Sequence, residues 1–193
     1  MSLVIGIEHE DRVILAGDSA VGIVDHPGEI YSLRHLEKIA RCGPYLLGYC
    51  DNARIGQVVV HHVDRPEPPE SGPLAPFLVR EVVPEIRRAV EAAGAAQEGR
   101  AVLGPKTVVL VAVRGELYII SADFTVIRSE GFTCIGFGRA AAYPVMDALL
   151  AAGIESAHKR VEMTLEIVSG RSPFVAPPFR FLESSSAPCS TQR

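Results

Sequence analysis

The first nineteen residues set the terms for the rest of this chain. Leu3 to Ile7 is an apolar run that starts almost at the first atom. Glu8-His9-Glu10-Asp11 breaks it, and Val13 to Gly17 forms a second apolar run that ends in Asp18-Ser19. A short polar break between two apolar runs reads as a β-hairpin. Domain termini ordinarily fray, yet here the sheet begins at residue 3. That arrangement makes sense when the terminus itself is wanted at a fixed place.

Ser2 supplies the reason. Initiator methionine is normally trimmed when a small residue follows, and removal of Met1 would leave Ser2 with a free α-amine beside its own hydroxyl. An α-amine titrates at about 7.7–8.0, so near neutrality it can accept a proton and activate the adjacent hydroxyl. The segment Ser2 to Asp18 resembles the start of proteasome β subunits and of the HslV-type bacterial peptidase, both N-terminal-nucleophile (Ntn) hydrolases. There a nucleophilic Thr or Ser opens a strand, and Asp closes the next one in an Ala-Gly-Asp or Ala-Ala-Asp context. Ala16-Gly17-Asp18 matches, with Ser2 in the nucleophile's place.

Length and composition bound the alternatives. A chain of 193 residues with 48% hydrophobic content and a mean hydropathy of +0.21 can bury a sizeable core, so one domain over residues 1–183 is expected. Residues 184–193 are polar and read as a disordered tail. A formal net charge of −4 without a basic stripe argues against a nucleic-acid partner. The cysteines (Cys42, Cys50, Cys134, Cys189) show neither CxxC nor zinc spacing, which fits buried thiols in a reduced, cytoplasmic setting. The N-terminal apolar run lacks a basic flank and meets charge by Glu8, so it does not read as a signal peptide. No apolar run reaches membrane-spanning length.

Taken in order, the pattern gives strands, helices, strands, helices and a last strand. After Asp18 a loop is expected at His26-Pro27-Gly28, and Ile30 to Leu36 is ambiguous. Lys38 to Arg41 and Tyr45 to Tyr49 form a second hairpin around Cys42-Gly43-Pro44. Asp51-Asn52 can cap a helix from about Ala53 to Val63. Arg65 to Pro73 is a linker by composition. A second helix from Leu74 to Ala93 must kink or split at Pro84, and Gly94 to Pro105 is loop. Strands follow at Thr107–Val113, Glu116–Ala122, Thr125–Ser129 and Thr133–Ile135, with breaks tight enough for antiparallel pairing. Helices are expected over Arg139–Ala152 and Ser156–Val168. The final strand, Phe174 to Leu182, is interrupted by Pro177-Pro178 and belongs at an edge. This order argues α+β with antiparallel sheets. Two stacked sheets with a helix pair on each outer face bury every apolar stripe, and that four-layer αββα sandwich is also what the Ntn resemblance implies.

The resemblance covers nearly the whole chain, strongly in the N-terminal half and weakly at the end. Carried onto this sequence, it implies Ser2 as nucleophile and base, Asp18 as the acid closing the second strand, Lys38 as the lysine near the next hairpin, and Gly48 as the glycine whose N–H meets the oxyanion. Physically, a cationic Lys38 would favour the Ser2 alkoxide, Asp18 would hold that cation, and a backbone donor would stabilise the tetrahedral intermediate. Each has a bland reading as well: Ser2 as the small residue that commonly follows an initiator methionine, Asp18 as turn former, Lys38 as a solvated edge charge, Gly48 as a packing glycine or a cap. The spacing from Asp18 to Lys38 is longer than the family's, which leaves Arg34 as a rival for the lysine's role. Where the family has Gly-Ser-Gly the chain has Gly136-Phe137-Gly138. Where it has an acid after the fourth helix the chain reads Val168-Ser-Gly-Arg-Ser-Pro173, with Ser169 or Ser172 as substitutes.

Other signals point nowhere strong. His61 and His62 are neighbours on a helix and do not face one way, so no metal is expected, and Gly136-x-Gly138 lacks the rest of a dinucleotide fingerprint. The expected function is cleavage of peptide bonds through Ser2, without cofactor. Family resemblance implies a self-associating ring and an ATP-driven unfoldase partner. The alternatives are a catalytically inactive subunit on the same fold and a small-molecule amidase.

Overall fold

The structure, a computed structural model, describes residues 2–26, 29–94 and 107–184, and the side chains of all of these except 22–34. Strands β1 (Val4–His9) and β2 (Arg12–Gly17) form the expected N-terminal hairpin, with Val4 opposite Gly17 and His9 opposite Arg12. Strands β3 (Ala20–His26) and β4 (Glu29–His35) make a separate antiparallel ribbon. The sequence predicts a loop at His26-Pro27-Gly28 and is ambiguous over Ile30 to Leu36, so neither strand is expected from it. The register shifts between Ile23 and Val24 and between Val24 and His26, and such irregularities break the period-2 alternation on which a strand is recognised. Pro27 and Gly28 lie outside the described residues.

The second hairpin joins β5 (Ile39–Cys42) to β6 (Tyr45–Cys50) through Gly43 at φ 60°. Helix α1 (Ala53–His61) starts at Asn52, whose side chain accepts the Ile55 N–H at 3.2 Å. A long helical run follows as α2 (Leu74–Phe77), a π-helical turn (Leu78–Val82) and α3 (Val83–Ala92). Pro84, in the first turn of α3, lacks an N–H and its ring crowds the carbonyl four residues back. The wider π turn, closed by Val83 N–H onto Leu78 C=O, accommodates it, so the run neither ends nor splits. The expected loop over residues 95–105 lies outside the described residues.

Strands β7 (Val108–Val113), β8 (Glu116–Ile120) and β9 (Val126–Ser129) continue from β5 and β6 as a five-stranded antiparallel sheet in order β5-β6-β7-β8-β9. Strand β10 (Phe132–Ile135) crosses to β1, and β11 (Arg180–Glu183) pairs with β2, giving the second sheet, β10-β1-β2-β11. Helices α4 (Arg139–Ala151) and α5 (Ala157–Ser169) lie between them in sequence, α5 capped by Ser156.

Alternation decides the layering. In β1 and β2, Val4, Val13 and Leu15 point at the other sheet, while Ile5, Ile7, Ile14 and Ala16 meet Ala142, Met146, Val161 and Leu165 of α4 and α5. In β6 and β7, Leu46, Leu110 and Ala112 face inward, whereas Tyr45, Tyr49, Val109 and Val111 pack on α1, the π turn and α3. Both sheets are therefore buried on both faces, which gives the strands their near-continuous apolar reading. The result is the four-layer αββα sandwich.

The last strand departs from expectation. Phe174 to Phe179 is not strand, and pairing begins only at Arg180, past the two prolines, which cannot donate to a ladder. The strand does lie at a sheet edge. Ser184 is not part of a free tail. It is buried, its hydroxyl accepts the Val13 N–H at 2.7 Å, and its own N–H reaches Val13 C=O at 2.8 Å. Residues 185–193 lie outside the described residues. Among the described residues no helix is long and apolar enough to cross a membrane.

Candidate active site

Because β1 and β2 pair with Val4 opposite Gly17, the residues just beyond that pair, Leu3 and Asp18, continue the ladder. Asp18 N–H donates to Leu3 C=O at 3.1 Å, and Leu3 N–H returns to Asp18 Oδ1 at 2.8 Å. Ser2 is thereby held one residue from a buried carboxylate. Lys38, on the approach to β5, donates from Nζ to the same Oδ1 at 2.6 Å. Oδ2 accepts Ala20 N–H at 2.9 Å and Ala176 N–H at 3.3 Å. Ser2, Asp18 and Lys38 are all almost fully buried, at 1%, 1% and 3% exposure. The solvated-edge reading of Lys38 and the plain-turn reading of Asp18 do not hold. Burial pushes the Lys38 ammonium pKa down, and the Asp18 charge and hydrogen bond pull it back up. Arg34 lies in β4, and its side chain is outside those the structure describes. Among the described residues no hydrogen bond links Lys38 to Ser2; the link runs through Asp18 and the backbone of Leu3.

Gly48 does not meet Ser2. Tyr49 N–H donates to Lys38 C=O at 3.0 Å, so Tyr49 points its backbone groups at the β5 side. Alternation then turns the Gly48 N–H and C=O toward its partner Leu110 on β7. A Cβ at Gly48 would stand 2.8 Å from Val4 Cγ1, which makes it the packing glycine between the sheets. The donor that does reach Ser2 is Asp51 N–H, 3.5 Å from Ser2 Oγ. Asp51 follows the last residue of β6, at φ 74°, a conformation that costs non-glycine residues energy and often accompanies a functional site.

Two glycines frame Ser2 from the other side. Gly138 N–H donates to Ser2 C=O at 3.1 Å. Gly136 has φ 95°, and a Cβ there would lie 2.3 Å from the Ser2 carbonyl oxygen and 3.2 Å from Oγ. Only glycine fits against Ser2 at that point. Phe137 between them is 63% exposed, its ring edge-on to Phe174 at 4.8 Å. The segment after α5 takes part through backbone rather than an acid: Ala176 supplies its N–H to Asp18 and accepts Ser19 N–H at 3.0 Å. Ser19 Oγ donates to Pro178 C=O at 2.5 Å. Ser169 and Ser172 turn to their own backbone neighbours, Glu166 C=O and Phe174 N–H.

Ser2 opens into a cavity of about 620 Å³, whose lining includes Cys50, Asp51, Ser121, Phe137 and Arg139. Burial pushes the Cys50 thiol pKa up, and the Arg139 charge works against that rise. A smaller cavity of about 310 Å³, between β5 and α1, is lined by His35, Glu37, Tyr49 and His61 and lies away from Ser2. His61 and His62 are both exposed. Among the described residues no cluster of three metal-ligating side chains is present.

The layer order and the N-terminal hairpin are those of the fold of HslV- and proteasome-like Ntn hydrolases. The fold is shared over nearly the full chain with Thiobacillus denitrificans BPH in complex with epoxomicin (TM-score 0.76, 17% identity, 96% of this chain and 100% of that one). It is shared with HslV from Trypanosoma brucei (TM-score 0.64, 18% identity, 94% and 98% covered). It is shared too with Anbu from Pseudomonas aeruginosa, solved as a helical assembly (TM-score 0.65, 14% identity, 94% and 80% covered). No family model and no curated protein sequence matches this chain.

Proposed function

We propose that this chain is an Ntn peptidase that cleaves peptide bonds through Ser2 once Met1 is removed. The observation that supports it most is the shared Asp18 Oδ1, which receives both Lys38 Nζ and Leu3 N–H next to Ser2 at the floor of a cavity. A buried ion pair of this kind is not a cheap way to gain stability, and perturbed buried charges cluster at functional sites.

In this reading the Ser2 hydroxyl attacks the substrate carbonyl carbon and its proton passes to the Ser2 α-amine. The oxyanion of the tetrahedral intermediate is met by the Asp51 N–H, a role the resemblance gave to Gly48. Backbone donors in such sites are worth about 2.7–4 kcal/mol. Lys38 and Asp18 set the local field and fix Leu3, hence the direction in which Ser2 presents its oxygen. The C–N bond breaks as the α-ammonium returns its proton to the leaving amine. Water then attacks the ester carbonyl carbon and gives a proton to the α-amine, and the C–Oγ bond breaks as the α-ammonium returns that proton to Ser2 Oγ, releasing the acid. No metal or organic cofactor is invoked.

Peptides or unfolded protein segments are the proposed substrates. Self-association is proposed because the solved neighbours include a helical assembly; an ATPase unfoldase is a further proposal from the fold. A reducing, cytoplasmic setting suits Cys42 and Cys134, which are free thiols. The rival reading, a non-catalytic subunit, is favoured by Phe137 standing where a hydroxyl is usual and by the missing acid between Val168 and Pro173. Labelling with epoxomicin tests between them, since one neighbour was solved with that compound bound. An adduct on Ser2, lost in Ser2→Ala, is expected; a chain that never reacts supports the non-catalytic subunit.

A further inference from the structure

We propose that the cavity beside Ser2 receives a carboxylate of the substrate, held by Arg139 at its mouth; this rests on the reading of Ser2 as nucleophile and names the substrate class. Arg139 is the first residue of α4 and lines the same cavity as Ser2. Its side chain is exposed, and no hydrogen bond or ion pair engages it among the described residues. Arg54, Arg80 and Arg171 are likewise without a side-chain partner among the described residues, but Arg139 is the arginine in the lining of the Ser2 cavity. Arg139 is left with its charge uncommitted beside the reacting atoms.

No ion pair among the described residues neutralises it. Asp51 is the one acidic residue in that lining, and no ion pair joins it to Arg139. Lys38 and Asp18 cancel each other beneath Ser2. Helix α4 begins with no acid in its first turn, so the positive end of its dipole adds to the guanidinium. Val108, Ala122, Phe137 and Ala140 supply much of the remaining wall. A planar guanidinium over an apolar wall takes a carboxylate through two parallel hydrogen bonds, which an ammonium cannot reproduce. The carboxylate has two sources: an acidic side chain close to the scissile bond, or the free C-terminus of a short peptide.

The test uses the full-length Ser2→Ala protein, so that peptides bind without being turned over. Three N-blocked peptides of one sequence are titrated by calorimetry: an internal glutamate with an amidated C-terminus, a glutamine with a free C-terminus, and a glutamine with an amide. At least one acidic peptide is expected to bind about tenfold more tightly than the neutral one. Adding Arg139→Glu is expected to erase that difference while leaving the neutral peptide within about twofold, and Arg139→Lys to keep only part of it. The acidic peptide that wins identifies the source. Equal binding of all three, no binding at all, or a preference that survives Arg139→Glu overturns the proposal. Since the titration needs no nucleophile, an acid preference without any adduct on Ser2 in the unmodified chain would sink the peptidase reading and leave the carboxylate site standing.

Discussion

Lysine is seldom fully buried, and Lys38 is buried against a carboxylate that accepts four donors. Removing one member of such a pair leaves the other as an uncompensated charge, at a cost of about 3–5 kcal/mol. Lys38→Met is therefore expected to lower unfolding free energy by that amount in urea titrations, and Asp18→Asn with Lys38→Met to recover much of it. No loss in the single variant would mean that the pair does not hold the site together. Cys134 gives a second residue-level outcome. Burial raises its thiol pKa from 9.0 to about 12, so between those values the unfolded chain holds fewer protons than the folded one. Stability falls as pH rises through that window, by up to ~1.4 kcal/mol per unit, and is unaffected below it. Cys134→Ala should flatten that slope in denaturation curves recorded at pH 9–11; an unchanged slope would assign it elsewhere.

At the level of elements, the turn from β6 into α1 links stability to the site. Asn52 caps α1 while its neighbour Asp51 presents its N–H to Ser2. Asn52→Ala is expected to cost about 1 kcal/mol and to slow labelling of Ser2 as well, because the same turn carries the donor. A stability loss with an unchanged labelling rate would separate the two roles. Sequence showed the N-terminal hairpin, the second hairpin and the helices, since apolar alternation and caps are written in side chains, while Ser2, Asp18 and Lys38 were singled out through the family resemblance. It did not show β3 and β4, whose bulged register hides their period, nor the contribution of Ala176, which acts through an N–H that any residue but proline could supply. Gly48 was assigned by its place in a motif. Strand pairing, which only the structure reveals, turns the Gly48 N–H toward β7, and the N–H within reach of Ser2 Oγ is that of Asp51, just past β6.

Over the whole molecule, two sheets must stay in close contact so that β1 and β2 can hold Ser2 against residues from β6, β10 and the segment after α5. Gly48→Val would drive a side chain into Val4 across that interface, and a loss of about 1–3 kcal/mol is expected from overpacking; full retention of stability would show that the sheets can separate there. The peptidase reading stands or falls on the state of the first residue. Intact mass of the native protein, recorded before and after epoxomicin, reads that state directly. The expected result is a chain lacking Met1 that gains a single adduct, mapped to Ser2 and absent in Ser2→Ala. A chain that keeps Met1 and gains no adduct would contradict an N-terminal nucleophile and leave this fold serving as a non-catalytic subunit.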